Sequence, residues 1–82
     1  KMRIDKFLKV ARIIKRRTVA NEACDAGRVS VNGRAAKAGT EIKPGDIVEV
    51  SFAGNKTKFE ILSVSETVRK DDAKDLYRII TD

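Results

Sequence analysis

Hydrophobic positions along the chain change period several times, and each change marks an element. Ile4, Phe7, Leu8 and Ala11 recur at helical spacing with Asp5, Lys6, Lys9 and Arg12 opposite, which predicts a helix over about residues 4–13. Val10 and Ile13 fall outside that stripe, so either the apolar face is wide or the helix ends near Arg12. In the next stretch Val19, Ala20, Ala23, Cys24 and Ala26 share one helical sector, and Thr18, Asn21, Glu22 and Asp25 share the other. Thr18 is the expected cap of this second helix, although Asn21 is not the Glu or Gln that completes a capping box. Gly27 stands where a left-handed helix end is wanted. The period then drops to two. Val29 and Val31 share a strand face, and Asn32-Gly33 predicts a tight hairpin turn.

Residues 34–43 form a poorly periodic connection. Pro44-Gly45-Asp46 is a turn signal, with proline suited to the first central position and glycine to the second. Residues 47–52 alternate as a strand with Val48, Val50 and Phe52 inward. Ala53-Gly54-Asn55-Lys56 is the next turn, followed by a strand over 57–64 in which Ile61-Leu62 break the alternation as a bulge would. Residues 66–75 are charged and weakly structured, with a helical turn at Asp72 to Asp75, and 76–81 read as a closing strand. The expected fold is a single α+β domain over 1–82, two short N-terminal helices packed on a small twisted, mostly antiparallel sheet.

Composition narrows the setting. Eighty-two residues lie near the lower limit for a core that supports itself, and 41% hydrophobic with 37% charged residues describes a folded chain. No apolar run reaches membrane-spanning length and no signal-peptide pattern opens the chain, so no membrane partner is expected. Met2 is the expected natural start, behind an added Lys1. Cys24 is the only cysteine, which rules out an internal disulfide and suits a reducing, cytoplasmic location. Its place on an apolar helix face points to packing rather than reactivity.

Charge changes the picture most. Residues 1–37 hold 11 Lys/Arg against 3 Asp/Glu, while residues 38–82 hold 7 against 9. A basic half beside an acidic half implies a directed surface. Nucleic acid is the expected partner, ahead of an acidic protein or an anionic membrane. Lys15, Arg16 and Arg17 repel one another unless a polyanion relieves them, and the helix N-terminus beside them adds anion affinity. Arg28 extends this helix–strand edge, and Lys6, Lys9 and Arg12 line the polar face of the first helix. Arg3 and Arg34 complete the candidate RNA-binding set. Asp5, Gly27, Asn32 and Gly33 are expected to support it structurally. Asp5 complements the helix dipole and holds a neighbouring arginine, so replacing it by Asn is expected to cost about 0.5–1 kcal/mol and to disturb Arg3 or Arg17.

Catalytic chemistry is sparse. The chain has no histidine and one cysteine of packing character, so nucleophile–base pairs and zinc clusters are missing. Asp71 and Asp72 are adjacent acids in a polar loop, the setting of solvated carboxylates. No glycine-rich phosphate loop occurs. No cofactor or metal is expected. Phe7, Phe52, Phe59 and Tyr77 are needed by the core, which leaves no exposed aromatic platform for single-stranded bases.

Taken together, these residues resemble the RNA-binding domain family named after small-subunit ribosomal protein four. The resemblance covers about residues 3–52 and rests on Arg3-Ile4-Asp5 with Leu8, on Arg17 and Ala20, on Gly27-Arg28-Val29-Ser30-Val31-Asn32-Gly33, and on Gly45-Asp46-Ile47. Arg16 departs from it, since the family usually has Ser there. The run from Asp5 to Thr18 is similar to two small bacterial groups, the RqcP ribosome-associated quality-control factors and the fifteen-kilodalton heat-shock proteins. The absence of a long basic tail is nearer the former. The resemblance implies a non-catalytic factor on large ribosomal subunits that carry stalled chains. Its implied partners are large-subunit rRNA, peptidyl-tRNA and a quality-control tailing factor. It leaves open a heat-shock-type recycling role, or an RNA-binding module cut from an rRNA-modifying enzyme. Arg3 and Arg17, which match arginines of the family pattern, are expected to matter more than the other cations.

Overall fold

A computed structural model describes residues 1–82 except Ala53, Thr67 and Asp82. It has the expected α+β architecture. Strand β1 (Met2–Arg3) leads into helix α1 (Ile4–Val10), and α2 (Arg17–Asp25) follows a short turn. Then come β2 (Val29–Val31), β3 (Arg34–Ala35), β4 (Glu41–Ile42), β5 (Ile47–Phe52) and β6 (Asn55–Ile61). A 3₁₀ helix (Lys70–Leu76) leads to the closing strand β7 (Tyr77–Ile79). The main sheet is antiparallel in the order β3-β2-β5-β6-β7. A separate two-stranded ladder joins β1 to β4, with Met2 opposite Ile42 and Arg3 opposite Glu41.

The period-two pattern accounts for which sheet face is covered. Val29, Val48, Val50, Phe59 and Ile61 are buried on the face that meets the helices. Ser30, Glu49 and Lys58 lie in register on the opposite face. Phe7, Leu8 and Ile4 of α1 are completely buried, as are Ala20 and Cys24 of α2. Phe7 stacks on Phe59 at 6.1 Å between ring centroids, and Tyr77 meets Phe59 edge-on at 5.3 Å. Full burial of the Phe7 and Phe59 rings contributes about 1.5–3 kcal/mol each, so this stack ties the first helix to the sheet.

Several boundaries differ from the sequence reading. The first helix stops at Val10 rather than residue 13, because Arg12 adopts φ +60 and the amide of Ile13 returns to the Leu8 carbonyl at 3.0 Å. Ile13 and Ile14 still pack on the core, which is why their pattern extends the helical stripe. Thr18 does not cap α2. Arg16 occupies that position in extended conformation without a side-chain cap bond. The poorly periodic connection contains β3 and β4, two-residue strands too short to show a period. Strand β6 runs 55–61 rather than 57–64, and β7 runs 77–79 rather than 76–81. The irregularity at Ile61-Leu62 is present: the amides of Leu62 and Ser63 both donate to the Leu76 carbonyl, at 2.8 and 3.3 Å, the hydrogen-bond signature of a bulge. The helical turn expected at Asp72 to Asp75 is the longer 3₁₀ helix. Ala53 of the expected third turn and Thr67 of the charged stretch lie outside the described residues.

Candidate nucleic-acid interface

Asp5 organises the N-terminal ends of both helices. Its residue is 1% exposed, on the first turn of α1, and its Oδ1 accepts the Lys6 amide at 2.7 Å. The Ile4 and Asp5 amides donate to the carbonyls of Thr40 and Ala38, so the first amides of α1 are satisfied without an ordinary cap residue. Arg3 grips the carboxylate with two prongs, Nε to Oδ1 at 3.2 Å and Nη2 to Oδ2 at 3.1 Å. Arg17, the first residue of α2, brings Nε within 3.5 Å of Oδ2, and Asn21 one turn on donates to the same oxygen at 3.3 Å. Burial alone would raise the Asp5 pKa. The Asn21 bond and the Arg3 and Arg17 guanidiniums outweigh it and hold the carboxyl below its usual value.

One buried anion therefore fixes two arginines at the starts of two helices. Their side chains remain 49% and 46% exposed, so both guanidiniums keep donors turned toward solvent. They flank an open pocket of about 500 Å³ shared with Asp5, Thr18, Asn21 and Glu22. Arg3 also lies over Gly39, where an added Cβ would sit 3.9 Å from its Cζ.

The remaining cations are divided among neighbouring surfaces. The Lys6 ammonium pairs with Glu66, whose carboxyl is held below its usual value first by Lys6 and also by the Arg17 charge. Lys9 and Arg12 line a small cavity with Val10, Glu66 and Val68. Lys15 and Arg16 rim an apolar groove on the other side of the α2 N-terminus, and Arg28 rims its continuation. Arg34 stands apart on β3, an edge strand of the main sheet.

The supporting residues behave as their chemistry requires. Gly27 has φ +78 and closes α2: its amide donates to Cys24 and the next amide, of Arg28, to Ala23. Asn32 (φ +52) and Gly33 (φ +82) form the hairpin turn. The Asn32 carboxamide also spans to the start of β5, accepting from the Ile47 amide at 2.9 Å and donating to buried Asp46 at 3.1 Å. Asp46 receives the Lys43 ammonium and amide as well, both at 2.9 Å, and these with Asn32 outweigh burial and keep its pKa low. Burial pushes the Cys24 thiol up to about 11, with the Asp5 and Asp25 charges adding to the effect, so it stays protonated and packs as an apolar group. Among the described residues there is no group of three or more His, Cys, Asp or Glu arranged to hold a metal, and no helix is long and apolar enough to cross a membrane.

Two features escape a reading of the sequence. Phe52, expected inward, is only partly buried. Arg12 occupies the helix-end position that Gly27 fills in α2: its own amide donates to Lys9 and the following amide to Leu8. A left-handed conformation costs a non-glycine residue about 1–3 kcal/mol, so α1 keeps a cation there at the expense of stability. Arg12→Gly is expected to raise stability by about 0.5–1 kcal/mol once the added freedom of the unfolded chain is counted. The same variant should bind RNA more weakly. Thermal melting beside an RNA titration checks both signs.

The S4 domain family pattern matches residues 2–48, which contain the Arg3–Asp5–Arg17 cluster, the α2 cap and the Asn32–Asp46 clamp. The chain is 54% identical to the "RQC P-site tRNA stabilizing factor" of Halalkalibacterium halodurans, over 95% of this chain and 89% of that one. It is 46% identical to the protein of the same name from Bacillus subtilis, over 96% and 92% of the two chains. Heat Shock Protein 15 of Vibrio cholerae, a solved structure described as trimeric, superposes with a TM-score of 0.90 at 29% identity, covering 96% of this chain and 81% of that one. The chain belongs to the S4 domain family and, within it, to the family of the RQC P-site tRNA stabilizing factors.

Proposed function

We propose that this protein is a non-catalytic, cytoplasmic RNA-binding factor of the large ribosomal subunit. It engages large-subunit rRNA and the peptidyl-tRNA of a stalled chain, and steadies that tRNA while a quality-control partner extends the chain. The setting comes from what its relatives are named for. The observation that carries the RNA-binding half is the pair of half-exposed guanidiniums, Arg3 and Arg17, immobilised on one buried carboxylate. Fixed planar forks suit phosphate oxygens, and little rotamer entropy remains to be lost on binding. The other candidate cations, from Lys6 to Arg34, act as the surrounding field.

Co-sedimentation with purified large subunits tests the proposal. Binding is expected, and peptidyl-tRNA on the subunit should strengthen it. Failure to co-sediment, or indifference to peptidyl-tRNA, would overturn the corresponding half. Salt dependence is a second check: four to six phosphate contacts predict a slope of log K against log salt of roughly −3 to −5. A slope near zero in filter-binding titrations would exclude a phosphate-dominated interface.

A further inference from the structure

The groove beside the second helix carries chemistry that the Arg3–Arg17 surface does not use. Its floor is Val19 and Phe52, shared by two adjoining open cavities of about 430 and 300 Å³. Ile13 extends the floor at one end. Lys15 and Arg16 stand at that end and Arg28 at the other, while Glu22 is the one carboxylate on the lining among the described residues. Phe52 reaches this position because of the sheet register. It shares the inward face with Val48 and Val50, but its partner is Asn55 in the hairpin, beyond the Val48–Phe59 pair that α1 covers. The Ser51 amide donates to the Arg28 carbonyl at 2.8 Å, which fixes Arg28 beside the end of β5.

An aromatic ring with an aliphatic neighbour, set between cations, has the composition of a nucleotide site. The base needs an apolar face to lie on, and the phosphates on either side of it need positive charge. An unpartnered apolar groove would also accept an apolar side chain from a protein, but three exposed cations on the rim favour a polyanion. We infer that the Val19–Phe52 groove takes one unstacked nucleobase of single-stranded RNA, with its flanking phosphates on Arg16 and Arg28. The inference rests on the RNA-binding reading above and adds to it a second contact, which reads an exposed base instead of the phosphate backbone alone.

The test compares a short oligoadenylate with an abasic ribose-phosphate strand of equal length, each end-labelled, by fluorescence anisotropy at low salt. The full chain should bind the base-bearing strand about tenfold more tightly, within the range of one base–aromatic contact. Phe52→Leu keeps an apolar floor without the ring; it should remove that preference and leave abasic binding unchanged. Arg28→Gln, at an exposed position, should weaken both strands while the preference remains. Equal binding of the two strands by the unmodified chain would overturn the inference without recourse to any variant. Stronger competition by polyglutamate than by oligoadenylate would also overturn it and assign the groove to an acidic peptide. Co-sedimentation with large subunits, run in parallel, separates the outcomes: its survival when base preference fails removes the groove alone, and its loss when base preference holds removes the ribosomal setting alone.

Discussion

Arg3→Lys and Arg17→Lys should each weaken binding to large ribosomal subunits about tenfold, with formal charge unchanged and the fold intact. Charge-assisted hydrogen bonds are worth about 1.5–3 kcal/mol, and loss of one such bond suffices for a tenfold change. Arg3 spends Nε and one Nη2 proton on Asp5, and its side chain is still 49% exposed with further N–H donors to offer. Arg17 approaches Asp5 through Nε, and its side chain is still 46% exposed. An ammonium can satisfy the carboxylate or a phosphate, but cannot hold both in this forked geometry. Because the two arginines share one anchor, the double variant should lose less than the product of the two single losses. Lys6→Ala and Lys43→Ala are the controls. Their ammonium groups are engaged with Glu66 and Asp46, so each should change binding little. Equal losses for all four variants, measured by co-sedimentation at one salt concentration, would replace a defined arginine site with diffuse attraction.

Elements whose pattern is long or chemically marked could be read from the sequence; elements set by contacts distant in the chain could not. Helix α2 was legible because its apolar sector is uninterrupted and Gly27 marks its end. Strand β5 was legible from its alternation, and Asn32-Gly33 from the one turn type its residues favour. The end of α1 was not, because Arg12 in a left-handed conformation carries no glycine to announce it and Ile13 continues the apolar count. The β1–β4 ladder is two residues long on each side, below the length at which a period exists. At the candidate site, the basic bias and the hold of Asp5 on a neighbouring arginine were visible. That one carboxylate takes Arg3 and Arg17 together, joining the start of one helix to the start of the next, is the part local pattern does not supply. Phe52 illustrates the same limit: alternation gave its face, whereas its partial exposure depends on how far the helices extend over the sheet.

Asp5→Asn should lower stability by about 1–2 kcal/mol at neutral pH, more than a helix-dipole contact alone provides. The carboxamide is nearly isosteric and can still accept the Lys6 amide. Its NH₂ group, however, would face the donors of Arg3, Arg17 or Asn21, leaving two half-buried guanidiniums without their shared anion. Removing one member of a buried pair usually costs about 3–5 kcal/mol, and the exposure of both arginines reduces that figure here. The pH dependence identifies the source. Asp5 has a lowered pKa in the folded protein, so its contribution is complete above the unfolded carboxylate value of about 3.9 and is lost as pH falls through the folded value. The stability gap between the parent chain and Asp5→Asn should therefore be widest near neutrality and close in acid, where both side chains are neutral. Asp46, also lowered, titrates in both proteins and cancels from the difference. Melting curves from pH 7 downward measure this gap. A gap that stayed constant across the acid range would mean the charge of Asp5 is not what holds the two helix ends. Unchanged melting with complete loss of subunit binding would instead make Asp5 a direct contact, against the repulsion a carboxylate meets beside phosphates.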